Sequence, residues 1–201
     1  MTDATLADLI VKYALPADME GIRLEEMRGY DLVRDQIVEG RRLQELRLRE
    51  LVEAEEWNDV FMLLGHHARA CALVLLAPSL GRDDLALILR EWWNMMEGVR
   101  PRDAIDLFRR AGFVTDSRQH LPKGTLTIYR GVPMSRRRLG LSWTLNLETA
   151  RFFAARGRSE PGPTYAAEVD SADVLAYFTT RNEAEVIVDP TTLLNVRRMG
   201  S

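Results

Sequence analysis

Cysteine and lysine are nearly missing from this chain, and each scarcity narrows its chemistry. A single cysteine, Cys71, stands among 201 residues, so no intramolecular disulfide can form and a cysteine-rich zinc site is excluded. Lysine occurs only as Lys12 and Lys123; the remaining positive charge is arginine, which reads as genomic base composition. There is no excess of positive charge either: 27 basic residues face 30 acidic ones, with a net charge of -3 and a pI near 5.7. A global field drawing the protein to nucleic acid or to an anionic membrane is therefore excluded. The longest apolar run, Ala70–Ala77, has eight residues, against the roughly 20 of a membrane-spanning helix. The first ten residues carry Asp3 and Asp8 without the basic flank of a secretory signal. A cytoplasmic location without a membrane partner is the expectation.

Several catalytic signatures are also missing. Neither a Walker loop nor G-x-G-x-x-G occurs, which rules out dinucleotide binding of the Rossmann kind. Gly140-Leu141-Ser142-Trp143-Thr144 lacks the second glycine of a nucleophile elbow. All three histidines (His66, His67, His120) precede Ser142, so the Ser…Asp…His order of α/β hydrolases is unavailable. His66 and His67 are neighbours on a predicted helix and point in different directions, unlike a metal-binding pair at i, i+4. No metal is expected.

What is present falls into two halves with different periods. From Ala4 to about Arg110 the apolar residues recur at helical spacing. Leu43, Leu46, Leu51 and Val52 form one predicted stripe, and a buried helix is predicted over Trp57–Leu76. Another begins at Asp83 with Leu85, Ile88, Leu89, Trp92 and Trp93, at least one tryptophan ring packing into the core. A further helix starts at Pro101 and stops before Gly112. Beyond Gly112 the pattern turns strand-like: Leu126–Arg130, Leu141–Thr144, Thr164–Val169, Val174–Phe178, Glu183–Val188 and Leu193–Arg197. Asn146 is placed to cap a helix running to Arg156, and Gly157–Pro163 reads as loop. The expected fold is α+β, with a helical region (residues 1–115) integral to the same domain as a strand-rich core (residues 116–201).

Three short segments carry the chemistry: Tyr129-Arg130-Gly131, Ser142-Trp143-Thr144 and Glu183-Ala184-Glu185. Residues two apart in a strand share a face, about 6.5–7 Å apart, so Glu183 and Glu185 are expected to project together. Paired carboxylates raise the proton affinity of at least one member. A carboxylate also stabilises an oxocarbenium-like centre as a bond to a sugar anomeric carbon breaks. A guanidinium such as that of Arg130 matches two phosphate oxygens, and Gly131 leaves room for a ligand against the backbone. Each element alone is also ordinary surface or sheet chemistry. Arg136-Arg137-Arg138 reads as a solvated loop, with attraction of an acidic target or nucleic acid as the alternative.

Together, in this order, the three segments resemble the R-S-E class of ADP-ribosyltransferases, whose members share an aromatic-Arg strand, an S-x-S/T strand and a late E-x-E. The resemblance covers about Leu126 to Pro190 and implies a mixed β-sandwich of that family's type with the N-terminal helices packed on it. It implies NAD as co-substrate, with Arg130 holding a phosphate or ribose and the Gly131 backbone binding the nicotinamide amide. Ser142 would orient the catalytic glutamate and a ribose, and Thr144 stands where many members have a second serine. The Gly157–Thr164 loop, with Arg156 and Arg158, would contact the phosphates and nicotinamide. Glu185 would stabilise the cation as nicotinamide leaves, Glu183 would position or deprotonate the acceptor, and Phe178–Asn182 (with Phe178, Arg181 and Asn182) would recognise it. The implied acceptor is a protein arginine, with nucleic acid left open. A bacterial or phage effector or toxin is the context such a family suggests. The rival readings are an NAD glycohydrolase, in which water is the only acceptor, and a non-catalytic interaction module on the same fold.

Overall fold

The computed structural model describes residues 5–14, 31–96, 98–118, 120–132, 140–156 and 161–199. The chain divides into two compact units, Met1–Ile88 with Trp92–Val99, and Leu89–Glu91 with Arg100–Ser201. Among the described residues no helix is long and apolar enough to cross a membrane.

The first unit is built from α1 (Leu6–Ala14), α2 (Asp31–Glu53), α3 (Trp57–Leu63), α4 (His66–Leu76) and most of α5 (Arg82–Trp92). Helix α1 opens with a reciprocal cap: the Thr5 amide donates to Asp8 Oδ2 (2.9 Å) while the Asp8 amide donates to Thr5 Oγ1 (3.2 Å). Arg49 of α2 donates to the same carboxylate (2.6 Å); this bond, followed by those from Thr5, holds the Asp8 carboxyl at about 2. Two expectations need correction. The buried stripe of α2 is Leu48, Leu51 and Val52, whereas Leu43 and Leu46 are 54% and 46% exposed, because the helix turns its Arg- and Glu-rich remainder outward around a narrower seam. The Trp57–Leu76 segment is two helices, since Leu64 and Gly65 are both extended (ψ 141° and 162°) and Gly65 opens α4. Trp92 is buried. Its indole donates to Asn58 Oδ1 (3.1 Å), and the buried Arg69 lies over its ring at 4.4 Å while donating to the Phe61 carbonyl (2.8 Å).

In the second unit α6 (Pro101–Ala111) begins on proline and ends at Gly112, whose φ of 80° suits a residue without Cβ. The strands are β1 (Val114–Thr115), β2 (Thr125–Gly131), β3 (Ser142–Thr144), β4 (Thr164–Asp170), β5 (Val174–Phe178), β6 (Glu185–Val188) and β7 (Leu194–Arg198). They hydrogen-bond in the order β1-β5-β6-β3-β2-β4-β7. The β1–β5 pair is parallel and the others antiparallel, so the chain is α+β with a mixed sheet. By hydrogen bonding this is one seven-stranded sheet, in which β2 meets β3 through the single register pair Tyr129↔Thr144. Helix α7 (Leu147–Ala155) follows β3, capped as expected by Asn146, whose side chain accepts from the Glu148 and Thr149 amides. It packs on β2, β3 and β4.

One core cluster joins Leu126 and Ile128 of β2, Trp143 of β3, Ala167 and Val169 of β4, Val174 and Tyr177 of β5, and Val186 and Val188 of β6. Each fully buried large apolar side chain contributes about 1.5–3 kcal/mol. The i, i+3 ion pair Arg151–Glu148 is more than half exposed and contributes only about 0.2–0.5 kcal/mol. Apolar burial therefore dominates the stability of this unit.

Candidate active site

Strand β2 ends in the dipeptide that carries both the cation and the close approach. The residue after Arg130 must be glycine for a packing reason. A Cβ at Gly131 would lie 1.8 Å from the Ala150 carbonyl oxygen and 2.5 Å from the Ala154 nitrogen, so the backbone of α7 occupies the space of the missing side chain. The room foreseen for a ligand is on that side filled by the helix. The pleat of β2 puts Arg130 on the face of Leu126 and Ile128, whereas the Tyr129↔Thr144 and Thr144↔Glu185 pairs put Ser142, Thr144 and Glu185 on the other. The Arg130 guanidinium nevertheless reaches across to β3, where Nη1 donates to the Ser142 carbonyl oxygen. Gly140 lies against it: a Cβ there would stand 2.5 Å from Arg130 Nη2.

Strands β3 and β6 supply the hydroxyl and the carboxylate. The Ser142 hydroxyl donates to Glu185 Oε1. Burial, the largest influence, pushes the Glu185 pKa up. The Ser142 hydrogen bond opposes it, the Glu183 charge adds to the rise, and Arg181 and Arg130 pull it down. Arg130, Ser142 and Glu185 come from three strands and meet through Ser142, one on its carbonyl and the other on its hydroxyl. A carboxylate kept in a low-dielectric setting beside a hydroxyl and a guanidinium is suited to stabilising positive charge that develops next to it.

The two glutamates do not sit on one strand face as the alternation implied. Strand β6 begins at Glu185, while Glu183 and Ala184 belong to the loop, and Ala184 has a φ of 44° that breaks the two-residue period. Their charges still interact, as the influence of Glu183 on Glu185 requires. The loop joins Phe178 and Glu185, which are paired in the β5–β6 hairpin. Asn182, at φ 55°, is its second left-handed non-glycine residue, and such residues cost on the order of 1 kcal/mol each. Tertiary hydrogen bonds hold that shape: Thr144 Oγ1 donates to the Glu183 carbonyl (2.5 Å) and the Leu145 amide to the Ala184 carbonyl (3.0 Å).

The remaining residues singled out by sequence fall in different places. Thr144 is 5% exposed, and its hydroxyl also accepts from the Asn146 amide (3.0 Å), so it braces the glutamate loop rather than facing a ligand. Phe178 is buried, with its ring 6.4 Å from that of Phe108; it is a core residue, which leaves the exposed Arg181 and Asn182 as the loop's outward side chains. Arg156 is exposed at the end of α7. Arg158 and Arg136-Arg137-Arg138 lie outside the described residues. Gly140, which lies against Arg130, is a site residue that sequence reasoning does not single out; a glycine two residues before Ser142 is its only, weak, signal. Among the described residues no three His, Cys, Asp or Glu side chains form a metal-ligating group. Comparison of the chain with known protein families, curated proteins and solved structures finds no match.

Proposed function

We propose that the chain is an NAD-dependent mono-ADP-ribosyltransferase of the R-S-E type, with the sheet, α7 and the β5–β6 loop forming its catalytic core. The observation that carries this reading is the Arg130–Ser142–Glu185 constellation. It is supported by the chain order that the resemblance requires: hydroxyl strand, helix, loop, strands, then acids. Arg130 holds a phosphate or ribose of NAD. The bond between the nicotinamide nitrogen and the ribose anomeric carbon breaks, and its electron pair leaves with nicotinamide. The ionised Glu185, oriented by Ser142, stabilises the oxocarbenium-like ribose. The acceptor, read as an arginine side chain, attacks the anomeric carbon and releases one proton, which Glu183 takes.

The test is incubation with adenine-labelled NAD and lysate protein. Label on macromolecules favours transfer, free ADP-ribose alone favours hydrolysis, and neither product refutes NAD chemistry. Glu185→Gln should lower turnover by at least about a hundredfold with NAD binding largely kept, since its charge acts mainly in the transition state. Near-normal turnover would remove Glu185 from the mechanism. Glu183→Ala should lose transfer more than hydrolysis, and equal loss of both would deny it an acceptor-side role.

A further inference from the structure

We propose that Asp116 is a positioning residue that clamps the start of the Thr179–Ala184 loop and thereby commits the reaction to transfer rather than hydrolysis, an inference that rests on the ADP-ribosyl transfer read above. Asp116 follows β1, the short strand that runs parallel to β5 and pairs Thr115 with Tyr177. That pairing brings its carboxylate to where β5 gives way to the loop. Oδ1 accepts from the Thr179 amide (2.7 Å) and hydroxyl (3.3 Å); Oδ2 accepts from the Thr180 amide (3.1 Å) and hydroxyl. One side chain thus satisfies both backbone donors of two successive residues and both of their hydroxyls. Partial burial works against its charge, yet these bonds outweigh it and hold the carboxyl below its ordinary range.

The clamp reaches one end of the loop and leaves the other to different atoms. Glu185 is fixed independently, by its register in β6 against β3 and β5 and by the Ser142 hydroxyl. The end near Glu183 is held by Thr144 and Leu145. Between the two anchors lie the exposed Arg181 and Asn182, and Asn182 is in a left-handed conformation that the chain does not favour. Releasing Asp116 frees this stretch while the strand register and the Ser142 hydroxyl still hold Glu185, whose link to it is the charge of Arg181. Cleavage of the nicotinamide bond uses Glu185, Ser142 and Arg130. Capture by a macromolecular acceptor also needs Glu183 and the loop surface in fixed places, whereas water needs neither.

The experiment uses the full chain with Asp116→Ala and, as a milder second variant, Thr180→Val, which deletes one hydroxyl at near-constant volume. Adenine-labelled NAD and lysate protein report label on macromolecules and free ADP-ribose together. Hydrogen exchange reports the Thr179 and Thr180 amides, and thermal unfolding identifies a variant that fails to fold. The expected result is a fall of about tenfold or more in the transfer-to-hydrolysis ratio for Asp116→Ala, a smaller fall for Thr180→Val, and NAD cleavage within about threefold of the starting protein. Both loop amides should exchange faster. An unchanged ratio, or parallel loss of both products in folded Thr180→Val, overturns the role of Asp116 while leaving the functional reading intact. Failure of the unaltered protein to cleave NAD overturns the functional reading itself, and this inference with it.

Discussion

Replacing Gly131 with alanine should be among the most damaging single-methyl changes in the second unit. The added Cβ would stand 1.8 Å from the Ala150 carbonyl oxygen, 2.5 Å from the Ala154 nitrogen and 2.9 Å from the Ala150 carbonyl carbon. A close carbon–oxygen contact needs about 3.3 Å, so the shortfall is about 1.5 Å. The clashing atoms are helix backbone, which cannot rotate aside as a side-chain tip can. Helix α7 would have to retreat from β2 and expose Ala150 and Ala154, which are 0% and 1% exposed. Overpacked cores commonly lose about 1–3 kcal/mol, and backbone-on-backbone contact sets the expectation at about 3 kcal/mol or more. For a chain of this length that is a drop of roughly 6–12 °C in Tm. Gly40→Ala is the control: it lies inside α2 with nothing within 4 Å of its would-be Cβ, and helix propensity predicts a gain of about 0.5–1 kcal/mol. Denaturant unfolding followed by circular dichroism on both variants decides the matter. If Gly131→Ala unfolds within about 0.5 kcal/mol of the starting protein, α7 does not rest on β2 as described.

Glu185→Gln should stabilise the protein at neutral pH while disabling it. Burial raises the Glu185 pKa, so the folded state holds this proton more tightly than the unfolded chain. Ionising the residue therefore costs stability as pH rises from its ordinary range through the raised value. The glutamine gain should be about 1 kcal/mol at pH 7 and vanish in thermal scans run below the ordinary glutamate range; a variant less stable at pH 7 would contradict the burial argument. Gly140→Ala should push the Arg130 guanidinium aside, weakening NAD binding about tenfold in a calorimetric titration with a Tm change of only a few degrees; unaltered affinity would separate Gly140 from the site. Arg109→Ala removes the donor 2.6 Å from Asp189, whose side chain is 9% exposed. With Thr191 still donating to that carboxylate and Arg109 itself 55% exposed, the cost should be about 1–2 kcal/mol by denaturant unfolding. Burial works against the Asp189 charge, but the bonds from Thr191 and Arg109 win and lower its pKa. The Arg109 contribution is thus present above the ordinary aspartate range and lost as pH falls through the lowered value; a loss independent of pH would deny the ion pair.

Local chemistry made much of this protein legible before its coordinates. Proline at the first position and glycine after the last fixed α6, and the Asn146 side chain fixed the start of α7, because these signals act within one turn of chain. The strands from Leu126 onward followed from β-branched and aromatic runs, whereas the two-residue β1 at Val114–Thr115 carries no such run and the last acidic strand begins two residues later than its residues suggest. The three segments bearing Arg130, Ser142 and Glu185 could be picked out by residue type alone. Register, pairing partners and burial could not, since they depend on atoms far away in sequence. Leu43 and Leu46 look as apolar as Leu48, and only packing decides which of them is covered. The positive φ of Ala184 has no sequence mark, yet it moves Glu183 out of the strand and into the loop. Gly131 reads as a space for a ligand until α7 is found lying on it. Asp116 stands 63 residues from Thr179, with nothing local to announce the carboxylate that holds the loop. Short-range conformational preference is written in neighbouring residues; contacts closed across tens of residues are decided by the free energy of the whole unit, and that is where this site is assembled.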